Sequence, residues 1–193
     1  VLTDLPDKIR QVNTCEITNR KEYMDAERDL IMYLQKYKDA DDDKIEKALR
    51  GEVMVRINIL RQISARGKVR DVIEFVKDFR ENGKKIILFC SLHEVVDQLK
   101  RYFPTAVSVT GRESPDMKQR AVDAFQNNPK VDIIICSIKA AGVGLTLTAS
   151  SNVAFVEFPW TYADCCQCED RAPRIGHKDS VTCYYFLGRR TLD

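Results

Sequence analysis

The stretch Lys84-Lys85-Ile86-Ile87-Leu88-Phe89-Cys90-Ser91 decides the fold. Its apolar run is unbroken rather than alternating, rich in branched and aromatic residues, opened by two lysines and closed by a serine. A short run of this kind predicts a strand covered on both faces, the habit of a parallel sheet. The same texture recurs outward along the chain at residues 106–109, 131–136, 153–158 and 181–187. Between these runs, at 69–81, 93–102, 114–127 and 162–171, apolar residues fall at helical spacing. Strands alternating with amphipathic helices predict an α/β fold, a parallel sheet with helices on both faces. In such a sheet the carboxyl ends of the strands line one rim, where α/β folds bind their ligands.

Residues 19–66 have a different character. Tyr23, Ala26, Leu30, Tyr33, Leu34 and Tyr37 recur at three and four, proline is absent, and Asp41-Asp42-Asp43 and Gly51 interrupt the pattern. This predicts two or three helices, the last carrying Val53, Ile57, Leu60 and Ile63 on one face. Ahead of them, residues 12–18 alternate as a strand that joins the later sheet. The expected organisation is a lead-in at 1–18, a helical protrusion at 19–66 and the sheet domain at 67–193. The first residue is Val1, and the chain reads as a piece of a longer protein.

Composition narrows the function classes. With 44% hydrophobic and 31% charged residues the chain is an ordinary folding sequence. No stretch approaches the roughly 18 to 20 apolar residues that span a bilayer, and residues 1–6 have no signal-peptide character, so an intracellular protein without a membrane partner is expected. Thirty-one basic residues against 29 acidic ones give a net charge of +2, so any surface for nucleic acid must be local. The seven cysteines include Cys90 and Cys136 inside strands, which favours reduced buried thiols. Cys165, Cys166 and Cys168 lack a second ligand pair at zinc spacing, and no metal site is expected.

No Walker loop, Gly-x-x-x-x-Gly-Lys-Ser/Thr, occurs in these residues, and no strand ends in the Asp-Glu pair that holds magnesium. Arg171 and Arg174, three residues apart at a helix end, suit a shared anionic target. Alone they also fit a solvated helix end that complements the helix dipole.

The surroundings of this pair carry a resemblance. Gln167, Asp170, Arg171, Arg174, Ile175 and Gly176 match motif VI of superfamily-two helicases of the Swi/Snf type, Gln-x-x-Asp-Arg-x-His-Arg-Ile-Gly-Gln. Lys84 to Ser91 resembles motif IV. Val109-Thr110-Gly111, with Ser114 to Arg120 and Phe125, is similar to the passage that follows it. Cys136 to Thr148 resembles motif V, and Phe158-Pro159-Trp160-Thr161 the segment after it. Order and spacing agree over residues 84–193. The Ala-Ala-Gly-Val-Gly form of motif V and the lead-in Leu5-Pro6-Asp7-Lys8 are most similar to the annealing-helicase-like branch.

The resemblance implies the RecA-like second lobe of a DNA translocase. ATP with magnesium would be held mainly by a first lobe outside these residues, and double-stranded DNA would lie along the rim. Arg171 and Arg174 would act as arginine fingers, Gln167 would position water or nucleotide, and Asp170 would orient an arginine by a charge-assisted bond. Gly142 and Gly144, where a missing Cβ lets backbone approach a phosphate, would join the nucleotide cleft to the DNA edge. Ser91, Thr110, Gly111, Ser137, Lys139 and Thr146 would track one sugar-phosphate strand. Trp160 fits either nucleic-acid contact or packing.

Two positions depart from the family pattern. Pro173 replaces its His and His177 its Gln, which implies altered finger geometry with the DNA edge retained. A non-catalytic module that holds DNA or a protein partner is the competing reading. A dinucleotide-binding oxidoreductase domain would need Gly-x-Gly-x-x-Gly, whereas Gly142 and Gly144 are followed by Leu and Thr residues.

Overall fold

The computed structural model describes residues 8–36, 43–141, 145–172 and 180–193. Gly142, Gly144, Pro173, Arg174 and His177 lie outside the described residues. Six parallel strands form one sheet: β1 (Lys8–Cys15), β2 (Ile86–Phe89), β3 (Val107–Val109), β4 (Ile133–Cys136), β5 (Asn152–Phe155) and β6 (Val181–Gly188). Their order is β1-β6-β5-β2-β4-β3. The helices are α1 (Arg20–Lys36), α2 (Asp43–Glu81), α3 (His93–Tyr102), α4 (Pro115–Asn127), the single turn α5 (Ile138–Ala141) and α6 (Tyr162–Glu169).

The unbroken apolar runs behave as expected. Every residue of β2 and β4 is buried. Because side chains alternate across a strand, Ile86 and Leu88 join Val72 and Val76 of α2 and Val95 and Leu99 of α3 on one face. Ile87 and Phe89 join Val122 and Phe125 of α4 and Cys168 of α6 on the other. An aromatic ladder crosses the second face: Phe89 stacks on Phe155 at 5.2 Å, Phe155 on Tyr185 at 4.7 Å, and Tyr185 on Phe158 at 5.1 Å. The start of α4 is fixed locally, with Ser114 accepting the Met117 amide and Pro115 entering the first turn.

Three expectations are corrected. The first strand lies at Lys8–Cys15 rather than 12–18. It is an edge strand whose Ile9 and Val12 are exposed, so no buried apolar run marks its position. Helix 69–81 is not separate: α2 runs 39 residues through both Gly51 and Gly67. Gly67 is not a breaker but a place of close approach, since a Cβ there would stand 2.2 Å from Asn19 Oδ1 and 2.6 Å from Ile17 Cβ. The break falls at Gly83, with φ +67°, where only glycine turns the chain without strain. A third difference is α5, a turn directly after β4 that the sequence reading did not contain.

The helical segment has its own small core of Ile17, Tyr23, Leu30, Leu60 and Ile63. Its union with the sheet combines apolar contacts of Ala65 and Val69 with a buried ion pair. Lys68 of α2 is fully buried and donates to Asp193 at 2.7 Å and to the Phe186 carbonyl at 2.9 Å. Asp193 also accepts from Ser64 Oγ at 2.6 Å and the Gly188 amide at 2.8 Å. Replacing Lys68 with Met strands this carboxylate, and removing one partner of a buried ion pair costs about 3 to 5 kcal/mol. The Lys68→Met chain is expected to unfold at a correspondingly lower urea midpoint, measured by circular dichroism.

Candidate nucleotide and nucleic-acid rim

All six strands end on the same rim, and a cleft of about 540 Å³ opens there beside α2. Ser91 after β2, Lys139 in α5, Trp160 before α6 and Gln167 in α6 all line it. Lys139 and Gln167 are exposed to solvent, and Trp160 retains 55% of its surface. These four candidates therefore line one concave surface.

The sequence reading missed two further residues of the cleft. Arg61 of α2 lays its guanidinium over the Trp160 ring at 4.0 Å and donates to the Phe158 carbonyl. Burial lowers its pKa against the opposing pull of Glu157 and Asp193. Glu157, just past β5, accepts the amides of Ser91 and of Leu92, the latter at 3.0 Å. These are orphan donors at the start of α3, which has no side-chain cap of its own, so a carboxylate there also meets the positive end of the helix dipole.

Further along the rim the candidates differ in access. Gly111 is exposed, and a Cβ added there would meet nothing within 4 Å. Thr110 is fully buried, and its hydroxyl donates to Glu113 at 2.7 Å and accepts the Arg112 amide at 3.2 Å. Glu113 also takes the Thr110 amide and the Ser108 hydroxyl. Burial raises the Glu113 carboxyl, but these donors outweigh it and hold it below its ordinary range. Ser137 is buried and its oxygen caps α5 by accepting the Ala140 amide at 3.1 Å. Thr146 is half-buried.

Arg171 follows the end of α6, bound to the segment after residue 144. Its carbonyl accepts the Leu147 amide at 3.0 Å, and its Nη1 reaches the Leu145 carbonyl at 3.4 Å. Its Nε is buried with no partner among the described residues. Asp170 bonds Lys8 of β1 among the described residues. Its neighbour Glu169 is fully buried and accepts both arms of Arg10, at 2.8 and 2.7 Å, together with the Tyr185 hydroxyl.

The cysteines take no part in this arrangement. All seven are free, and burial pushes the thiols of Cys90, Cys136, Cys168 and Cys183 well above the usual range. Among the described residues no group of three or more His, Cys, Asp or Glu side chains is placed to hold a metal ion. None of the helices described is long and apolar enough to cross a membrane.

Burial raises the Glu169 carboxyl, but the hydrogen bonds from Arg10 and Tyr185 and the charges of Arg10 and Lys8 outweigh it and hold it below its ordinary 4.5. A depressed folded pKa gives stability that is complete above the unfolded value and is lost as pH falls through the folded one. Urea midpoints measured between about pH 6 and pH 3 are expected to fall below pH ~4.5, with Glu169→Gln flattening that acid limb.

Comparison with known proteins agrees with this geometry. The family described as the helicase conserved C-terminal domain matches residues 67–176. The chain is 31% identical over 135 residues to the SWI/SNF-related matrix-associated actin-dependent regulator of chromatin subfamily A-like protein 1 of Xenopus tropicalis, covering 67% of this chain and 14% of that protein. It is 30% identical over 203 residues to the DNA annealing helicase and endonuclease ZRANB3 of Bos taurus, covering 100% of this chain and 18% of that protein. The chain thus spans less than a fifth of either relative. Among solved structures, the C-terminal part of the Fun30 ATPase domain superposes with a TM-score of 0.78 at 16% identity, covering 97% of this chain and 87% of that one. The Sulfolobus solfataricus SWI2/SNF2 ATPase core in complex with dsDNA gives 0.74 at 21% identity, covering 97% and 42%. A parallel sheet with this rim and a family match over more than half its length identify the chain as a member of the helicase conserved C-terminal domain family, a RecA-like C-terminal lobe of the Swi/Snf type.

Proposed function

We propose that the chain is the second motor lobe of an ATP-dependent duplex-DNA translocase working inside the cell. It presents Arg171 and Arg174 to ATP and magnesium held mainly by a first lobe, and it holds DNA phosphates along its rim. Residues 67–193 form this lobe, 19–66 a protrusion and 1–18 the lead-in.

The observation that carries the reading is the placement of Arg171, whose carbonyl and Nη1 bond the segment at Leu147 and Leu145 and whose Nε has no acceptor among the described residues. A guanidinium carries its N–H donors in a planar fork, a shape that suits the oxygens of a phosphate supplied from outside the lobe. The residues therefore fit a phosphate group. Hydrolysis of bound ATP supplies the free energy for stepping. The chain itself contributes positive charge fixed by backbone bonds, so little reorganisation is needed when charge develops. Gln167, exposed in the cleft next to Trp160, is placed to orient nucleotide or water. Ser91, Gly111, Lys139 and Thr146 supply hydroxyl, amide and ammonium groups for a sugar-phosphate backbone without reading sequence. Thr110 and Ser137 support the rim through Glu113 and α5.

Lys139→Ala in the isolated chain is expected to weaken duplex binding equally for unrelated sequences and to reduce the salt slope by about 1. Arg171→Ala in the longer protein that joins this lobe to its first lobe is expected to cut DNA-stimulated ATP hydrolysis by about 10³-fold or more. Duplex binding with no turnover in the unmodified protein would instead favour a non-catalytic module.

A further inference from the structure

The strand at one edge of the sheet and the end of α6 are joined by charge in a way that the cleft does not explain. Lys8 and Arg10 stand two residues apart and so share one face of β1. Arg10 lies opposite Cys183 in the register, and Cys183 belongs to the face on which Cys168 of α6 packs. There the two cations meet consecutive carboxylates: Lys8 bonds Asp170, and Arg10 grips both oxygens of Glu169. The Tyr185 hydroxyl donates to Glu169 from the aromatic ladder.

A fully buried carboxylate contributes little net stability even when paired, because its desolvation offsets the attraction. What a two-armed guanidinium contact does supply is direction, since the planar fork fixes the carboxylate about its own axis. The phenol adds a third bond, to the carboxylate oxygen that Arg10 Nε also reaches. Glu169 ends α6 and Arg171 follows two residues later, itself tied to Leu145 and Leu147.

We infer that Arg10, assisted by Lys8, is a positioning residue for Arg171, gripping Glu169 and Asp170 from the edge strand so that the guanidinium meets the phosphate in a fixed direction. This rests on the reading of Arg171 given above. Because β1 is paired laterally only with β6, loosening it disturbs α6 without opening the central strands.

Hydrogen exchange tests the grip in the isolated chain. Arg10→Gln and Glu169→Gln are each expected to raise exchange at residues 165–172 while leaving β2 and β4 protected, and Gln11→Ala on the same strand to change neither. In the longer protein, both variants are expected to lower kcat for DNA-stimulated ATP hydrolysis about 10- to 100-fold with duplex affinity unchanged, the cost of a small misplacement of a reacting group. Arg10→Lys is expected to recover part of the loss, and the double variant to be no worse than either single one, as members of one pair behave. Full turnover in both variants, with Arg171→Ala inactive, overturns this inference and leaves the finger reading intact. Full turnover in Arg171→Ala overturns the finger reading itself, and exchange at α6 then decides whether the grip exists. Loss of duplex binding together with exchange throughout the sheet reduces Arg10 to a folding role and also overturns it.

Discussion

Parallel pairing is the constraint on which the rest of the molecule depends. Each strand must be followed by a return across the sheet before the next can pair, so helices cover both faces and every strand finishes at the same rim. Ile86 to Phe89 and Ile133 to Cys136 are apolar throughout for this reason. The same constraint delivers Ser91, Thr110, Ser137 and Glu157 to one edge, although they arise from four separate stretches of sequence. The site is a consequence of topology before it is a consequence of side-chain chemistry.

Charge is arranged in two tiers. Among the described residues, Lys68 and Asp193 form a buried ionic knot and the exposed Arg10 grips the buried Glu169, each pair linking elements more than a hundred residues apart. The rim carries exposed or half-buried cations such as Lys139 and Arg61 close to the carboxylate of Glu157. A net charge of +2 averages these tiers and reveals neither. The knots fix where elements dock, while Lys139 stays exposed at the cleft and Arg61 is laid over Trp160.

What was legible in the sequence follows from how local each signal is. Strands β2 to β6 announced themselves because a doubly covered strand needs a continuous apolar run. Strand β1 did not, since its exposed edge tolerates Gln11, Asn13 and Thr14, and its register comes from β6 at the other end of the chain. Gly51 suggested a break because glycine disfavours a helix in isolation, yet α2 runs through it. Ser91, Lys139, Trp160 and Gln167 were found through motif spacing and do converge. Arg61, Glu157, Glu169 and Arg10 were missed because each acquires its meaning from a partner distant in sequence. Only the repeat of basic residues at Lys8 and Arg10, facing the acidic pair at Glu169 and Asp170, hinted at one of these bonds.

The unbroken course of α2 has a mechanical side. At 39 residues it is about 58 Å long, with a 1.5 Å rise per residue. Its later half is embedded against the sheet through Val72, Val76 and Lys68, and its earlier half extends past Arg61 into the hairpin with α1. Sharp helix kinks arise at proline, a bulge or an inserted group, and α2 contains no proline, so a tilt of the sheet is carried along it toward the far tip. With a free arm of about 30 Å, a rotation of ten degrees or so would swing that tip by roughly 5 Å, close to one helical turn.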